Sequence, residues 1–564
     1  MTPLIIIVLY LGLLLALGVY SGKSFRGTSK DYFVASHSIG PFLLLMSVFG
    51  TTMTAFALVG STGKAFERGI GVYGLMASIS GLVHAAIFFL IGIRLWVYGK
   101  KYGYVTQIQY FRARFDSIKI GYILFPILVC LIIPYLLIGI IGAGKTLLPV
   151  TAGAFPSLFP NPATPQWAGG IPGWLTGLVV CCVVLTYVFM GGSRGAAWAN
   201  TFQTLVFMVM GVVAFVFISN SLGGMKNATN LAAKIDDSGN VIQTHSFNTK
   251  QMKLIENDPP KIIGKVIAEG GNYSNTPLLT RTVTEVELFS KNRKTGEITS
   301  FKREYGVPPW MFLTYFFIPL SVGMFPHLFQ HWLTAKSAKA FRLTVVAHPL
   351  FILVVWVPCV LIGTWATGIL PPLDSSKVSG VLGMMVRTLV GNPILTGLLT
   401  AGILAAIMSS LDSQFLCLGT IFTNDIVIQI VGKDRFTDKQ IILIARLFIV
   451  GIVVLTYLLS LVAPQNVFNL AIWCFTGFSG LFPLILAAVY WKRATETGAV
   501  ACIFTTVISW FYFFAQSGYG GEYTIAGGMM PVAFIVIFSS IAMVTVSLLT
   551  RPPSKETLQK FFPN

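Results

Sequence analysis

Long apolar runs broken by short charged stretches set the pattern of this chain. Read between the breaks, they predict about thirteen membrane-spanning helices, near 3–21, 39–63, 70–98, 119–147, 171–191, 196–220, 308–332, 343–368, 393–427, 439–462, 466–491, 497–516 and 529–549. Runs of this length suffice for a hydrocarbon core of roughly 30 Å. The first run, Leu4 to Val19, has no basic stretch before it and no small-residue cleavage site after it. It therefore reads as a retained helix rather than a signal peptide. Residues 222–307 break the pattern with many Lys, Glu, Asn and Thr. Within them, β-prone residues flank Asn292–Arg293–Lys294–Thr295–Gly296, which predicts a β-hairpin in a polar extracellular insertion. The competing expectation for so apolar-poor a segment is disorder.

Composition agrees with the pattern. The chain has 564 residues, 55% hydrophobic and only 10% charged, against about 25% charged in ordinary soluble domains. The net charge of +19 does not imply nucleic acid here, because Lys and Arg gather in cytoplasmic loops of membrane proteins. Lys23, Arg26 and Lys30, then Lys100, Lys101, Arg112 and Arg114, then Lys336, Lys339 and Arg342 mark one side. Lys433, Arg435, Lys439 and Arg446, with Lys492 and Arg493, continue it. That side is expected to be cytoplasmic, with the N-terminus outside, the C-terminus inside and the chain multi-pass in the cell membrane. The seven cysteines lie in apolar runs without metal-ligand spacing and predict no disulfide framework.

Ionisable residues within a membrane are costly and usually functional. Asp412 stands out, in Ala405–Ala406–Ile407–Met408–Ser409–Ser410–Leu411–Asp412–Ser413. Helical spacing places Ala406, Ser409, Ser410 and Ser413 on one stripe, with Asp412 beside Ser409. Hydroxyls with one carboxylate form a hard oxygen set suited to a hard cation. The alternative is a serine-rich helix interface, with Asp412 paired to a base such as Arg194. A second clue is Gly50–Thr51–Thr52–Met53–Thr54, whose residues weaken a helix. Unwound backbone survives in a bilayer only where it is buried or lines a cavity, so carbonyls near Gly50 and Met53 become candidate cation ligands. A packing notch would leave the same signature. Ile318–Pro319–Leu320–Ser321–Val322–Gly323–Met324–Phe325–Pro326–His327 interrupts a later helix in the same way. The two breaks occupy corresponding places in two five-helix units, which is where transporters built from repeats hold their ligands. The chain thus divides into an extra helix and loop (1–38), a five-helix unit (39–220), the insertion (221–307), a second five-helix unit (308–491), and two helices with a short tail (492–564).

These residues resemble the sodium:solute symporter family, which includes sodium/proline, sodium/pantothenate, sodium/galactose and monocarboxylate carriers. The resemblance rests on Asp31–Tyr32–Phe33–Val34–Ala35, Gly60–Ser61–Thr62–Gly63, Gly69–Ile70–Gly71, and Gly191–Gly192–Ser193 with Trp198 and Phe202–Gln203. It continues in Leu333–Thr334–Ala335–Lys336–Ser337, Ala405 to Ser413, Phe422–Thr423–Asn424–Asp425–Ile426, Thr476–Gly477 and Trp491–Lys492. It implies an all-α polytopic protein of leucine-transporter type, with two inverted five-helix repeats. It also implies a principal Na+ site of Gly50, Met53 and Ala406 carbonyls with Ser409 and Ser410 hydroxyls. Some members bind a second sodium through an aspartate that corresponds to Asn200 here. The carboxylate at Asp412 then points to a second cation among Asn200, Ser409, Asp412 and Ser413.

By the same resemblance, the solute site is expected at Thr52, Phe56, Ala57, Ser321, Phe325 and Trp473. Sugar carriers have polar residues at Phe56, Ala57 and Trp473, and proline carriers an aspartate at Thr52, which disfavours both; Phe325–Pro326–His327 with Lys336 and Ala340–Phe341–Arg342 resembles the pantothenate and acetate branch, which turns the expectation toward a small organic acid. The expected activity is sodium-coupled symport of such a solute by alternating access, with Na+ and solute as partners and no enzyme chemistry. A proton-coupled carrier using Asp412 and a non-transporting solute sensor are the alternatives. Nothing in residues 221–307 names a partner protein.

Overall fold

Helices follow the apolar runs in the computed structural model, which describes residues 1–22, 25, 27–160, 167–233, 262–264, 284–291, 298–370, 373, 375–521 and 523–563. Among the described residues, ten helices are long and apolar enough to cross a membrane, or twelve if each of two bent pairs is one span. The first bent pair is Pro41–Thr52 with Phe56–Arg68, at 54°, and the second is Pro309–Gly323 with Pro326–Thr334, at 51°. Both bends fall at the predicted interruptions.

The predicted helices at 171–191 and 196–220 form one helical run, Gly173–Ser221, broken at Gly192 by φ 53° and ψ −148°. A side chain at Gly192 would also meet the Tyr32 carbonyl oxygen at 2.8 Å. Its 49 residues would extend about 73 Å if straight, more than twice a hydrocarbon core.

In the insertion, Thr284–Lys291 pairs antiparallel with Ile298–Tyr305, and Ile262–Gly264 adds to the other edge of Thr284–Lys291. The turn expected at Asn292–Gly296 lies outside the described residues.

A short helix, Gln107–Phe115, ties separate elements together. Gln107 donates to the Met324 carbonyl at 3.3 Å, Arg112 pairs with Asp425 at 3.3 Å, and Arg114 donates to the carbonyls of Ala488 and Trp491. The tail docks against this helix. Ser554 caps Lys555–Phe561, and the buried Phe561 ring packs against Tyr98, Tyr102 and Tyr110. The Tyr98 and Tyr102 hydroxyls donate to the carbonyls of Phe561 and Lys560. Phe561→Ala should cost about 3 kcal/mol, as for other buried aromatic truncations, and lower the unfolding temperature in detergent. An unchanged unfolding temperature would mean that the tail does not dock in solution.

Candidate functional site

The first site is built by a helix that stops early. Pro41–Thr52 ends at Met53, whose φ −90° and ψ 81° leave the helical region. Carbonyls in the last turn of a helix lack the amide one turn on, and here a neighbouring helix supplies a partner. The Ser409 hydroxyl lies 2.8 Å from the Gly50 carbonyl and 2.9 Å from the Ala406 carbonyl. In return, the Thr51 hydroxyl donates to the Ser409 carbonyl at 3.2 Å. Gly50 permits this approach, since a Cβ there would meet Thr204 Oγ1 at 2.3 Å. Gly50, Ala406 and Ser409 thus converge as three oxygens at a helix break. Ser410 donates to Ile407 of its own helix at 2.9 Å, and Met53 marks the break itself.

Next to this junction lies a buried polar network. Asp412 is fully buried and accepts from the Tyr187 hydroxyl at 3.0 Å. With its nitrogen toward the carboxylate, the Asn200 amide donates to both Asp412 oxygens, at 2.9 and 3.1 Å, and accepts from Ser413 at 3.0 Å. Ser413 Oγ also lies 2.9 Å from Asp412 Oδ1 and 2.9 Å from His331 Nε2. The pairing with Arg194 does not form, because Arg194 bonds Asp31 at 2.8 Å. Among the described residues no basic side chain lies within ion-pair distance of Asp412. A buried carboxylate without a countercharge is expensive in a bilayer, so a mobile positive charge, sodium or a proton, fits here.

Between the two breaks stands a box of aromatic rings. Phe56 meets Phe468 at 5.3 Å and Phe475 at 5.1 Å; Phe475 in turn meets Tyr135 at 5.1 Å and Phe325 at 5.5 Å. Phe56 and Phe325 are therefore brought together. Ala57 neighbours Phe56 and is buried, as is Ser321 in the 3₁₀ turn Ile318–Gly323; the Thr52 hydroxyl bonds back to Phe49. Trp473 is not part of the box. It packs with Phe513, Phe514 and Ile535 of the last two long helices. On the opposite face of the same helix, Phe475 meets the rings of the box. Beside the box, Lys64 pairs with Glu67 at 3.0 Å and lies over the Phe468 ring.

The sequence profile of the sodium:solute symporter family matches residues 32–154 and 170–505, which includes both breaks, Asp412 and the aromatic box. The chain belongs to the sodium:solute symporter family. It is therefore a secondary transporter and not an enzyme, and it is a multi-pass membrane protein. The sodium/proline symporter of Escherichia coli (strain K12) is 24% identical, over 94% of this chain and 90% of that one. A sodium/proline symporter of Staphylococcus aureus (strain bovine RF122 / ET3-1) is 23% identical, over 97% and 93%. A solved Na+-coupled sialic acid symporter superposes with a TM-score of 0.66 at 18% identity, covering 98% of this chain and 99% of that one. That likeness shows a shared leucine-transporter-type fold.

Three residues that the structure brings to the junction and the box escaped the sequence reading: Tyr187, His331 and Phe475. His331 carried a usable signal, since a polar ring within an apolar run is conspicuous. Tyr187 and Phe475 carried none, because aromatic residues are frequent along both helices.

Proposed function

We propose that this symporter imports a small organic acid together with sodium, by alternating access across the cell membrane. The observation that carries the reading is the Ser409 hydroxyl against the Gly50 carbonyl, freed by the helix break. A sodium ion entering there would replace that hydrogen bond with coordination by Gly50, Met53, Ala406, Ser409 and Ser410 oxygens. The broken helix and the Ser409 helix would then be drawn together beside the aromatic box, where Thr52, Phe56, Ala57, Ser321, Phe325 and Phe475 surround the solute. By linkage, solute and sodium raise each other's affinity by the same factor. Two inverted five-helix repeats and thirteen spans complete the reading, with Gly192 dividing Gly173–Ser221 into two of them. The N-terminus is then outside, the C-terminus inside, and the stranded insertion forms an extracellular cap.

Asp412 gives a second reading a specific footing. Without a basic partner among the described residues, it can hold a second sodium with Asn200 and Ser413, or a proton. Radiolabelled solute uptake into proteoliposomes, with sodium, lithium and proton gradients imposed separately, decides between them. Uptake driven by sodium alone supports the proposal, and uptake driven by a pH gradient without sodium overturns it.

The aromatic box supports a further expectation. Phe475→Ala should raise the solute KM about tenfold, the worth of a well-packed aromatic contact, whereas Trp473→Ala should leave KM unchanged and lower thermal stability. Equal KM effects in the two variants would move the solute away from this box.

A further inference from the structure

One short helix crosses the elements between which solute and sodium would pass. Gln107–Phe115 has nine residues, fewer than the roughly 12–15 that an isolated helix needs to hold its shape in water. Its order therefore comes from what it bonds. Gln107 donates to the carbonyl of Met324, the residue that ends the 3₁₀ turn at the second helix break. Arg112 donates to the Asp425 carboxylate at 3.3 Å, the Asp425 carbonyl at 2.6 Å and the Gln429 amide oxygen at 3.2 Å. Asp425 and Gln429 continue the Ser409 helix, whose span runs over Pro393–Val431. Arg114 is fully buried and donates to the carbonyls of Ala488 and Trp491, at the end of the Phe475 span, Val467–Tyr490. The helix is thus a strap across the second broken helix, the Ser409 helix and the Phe475 span.

The tail presses on this strap. The Phe561 ring lies 5.8 Å from Tyr110 of the strap, and 5.4 and 6.0 Å from Tyr98 and Tyr102 of Ile93–Tyr102. Arg114 of the strap lies over the Phe562 ring at 5.0 Å. Tail and strap therefore share one aromatic cluster, within which Tyr98 stacks on Tyr110 at 5.8 Å. Between the tail helix and the last long helix, Pro531–Leu549, Arg551–Pro552–Pro553–Ser554 forms neither helix nor strand. Prolines offer no N–H for a helix bond and favour an extended spacer. The tail can therefore leave its seat without unwinding the last long helix.

We infer that the tail is a latch on this strap. Seated, Phe561 and Phe562 hold Gln107–Phe115 across the second broken helix and the Ser409 helix, and keep that end of the molecule shut. Released, the strap loses its cover, the Gln107–Met324 and Arg112–Asp425 bonds open more often, and the two helices part more readily. A segment that orders and disorders is a common form of conformational switch, and Pro552–Pro553 supplies its hinge. The latch rests on the alternating access proposed above, in which one helix bundle rocks against the other.

Hydrogen exchange of the full-length protein in detergent, read by mass spectrometry without solute or sodium, tests the latch. Phe561→Ala should speed exchange in segments 107–115, 318–334 and 422–431 at least about tenfold, since local opening sets the exchange of such amides. Segments 438–460 and 531–549, which lie outside the strap, should stay within about twofold of wild type over the same labelling times. Gln107→Leu should speed exchange in 318–334 while the tail helix, 555–561, exchanges as in wild type. A chain ending at Arg551 should match Phe561→Ala, and an excess of a synthetic peptide of residues 552–564 should restore slow exchange. The same peptide carrying Phe561→Ala should not. If the shortened chain fails to fold, the two point variants decide. Faster exchange confined to 107–115, or spread evenly over 438–460 and 531–549, overturns the latch, as does an unchanged 318–334 in both point variants. Because neither ion nor solute is present, these outcomes are separate from the sodium reading, which fails instead on full sodium dependence in Ser409→Ala.

Discussion

Ser409→Ala should raise the sodium concentration for half-maximal uptake by between about 10- and 100-fold. The substitution deletes the hydroxyl that lies 2.8 Å from the Gly50 carbonyl and 2.9 Å from the Ala406 carbonyl. Hydrogen bonds and ligand contacts to a charged group are worth about 1.5–3 kcal/mol, and each 1.4 kcal/mol is tenfold in affinity. The variant should still fold. Alanine fits the space, and the Thr51 hydroxyl still donates to the backbone carbonyl of residue 409, a contact the side-chain change does not remove. Uptake measured against sodium concentration at saturating solute checks this, and an unchanged half-saturation would remove the junction from the ion path.

Asp412→Asn should reduce the number of sodium ions that move with each solute. Its carboxylate accepts from Tyr187 and from the amide of Asn200, and Ser413 lies beside it. Asparagine keeps the shape but removes the negative charge that would hold a second cation. Losing one coupled charge forfeits about 2.3 kcal/mol at 100 mV, so the steady accumulation ratio should fall roughly 50-fold at that potential. The Hill coefficient for sodium should fall toward one. Unchanged sodium affinity and unchanged accumulation would mean that Asp412 serves only the internal network.

Much of this arrangement was legible because the bilayer makes polar residues conspicuous. Gly50 to Thr54 and Ile318 to His327 interrupt apolar runs with weak helix formers, and both bends fall there. Ser409 and Asp412 stood out for the same reason, and the structure sets Ser409 against the predicted Gly50. The stretches at 171–191 and 196–220 read as two helices, while the structure carries helix on both sides of Gly192 with one residue out of register. Gly191–Gly192 marks the break, but the doublet does not say which glycine takes the positive φ or that helix resumes at once. Trp473 and Phe475 could not be told apart from the pattern, because Val467–Gly480 is buried on every side and gives no amphipathic cue. The partners of this network come from segments far away in the chain, Tyr187 and Asn200 against Asp412 from one helical run and His331 against Ser413 from another helix. Such pairings are set by packing and leave no local trace.

Simultaneous tracing of ²²Na+ and radiolabelled solute into the same proteoliposomes tests sodium coupling through the Gly50–Ser409 junction most directly. Wild type should show ²²Na+ entry that rises with added solute in a fixed ratio, and at a sodium concentration near the wild-type half-saturation Ser409→Ala should show both fluxes reduced together. Solute entry without any accompanying ²²Na+ entry, or a Ser409→Ala protein with both fluxes intact, would contradict it.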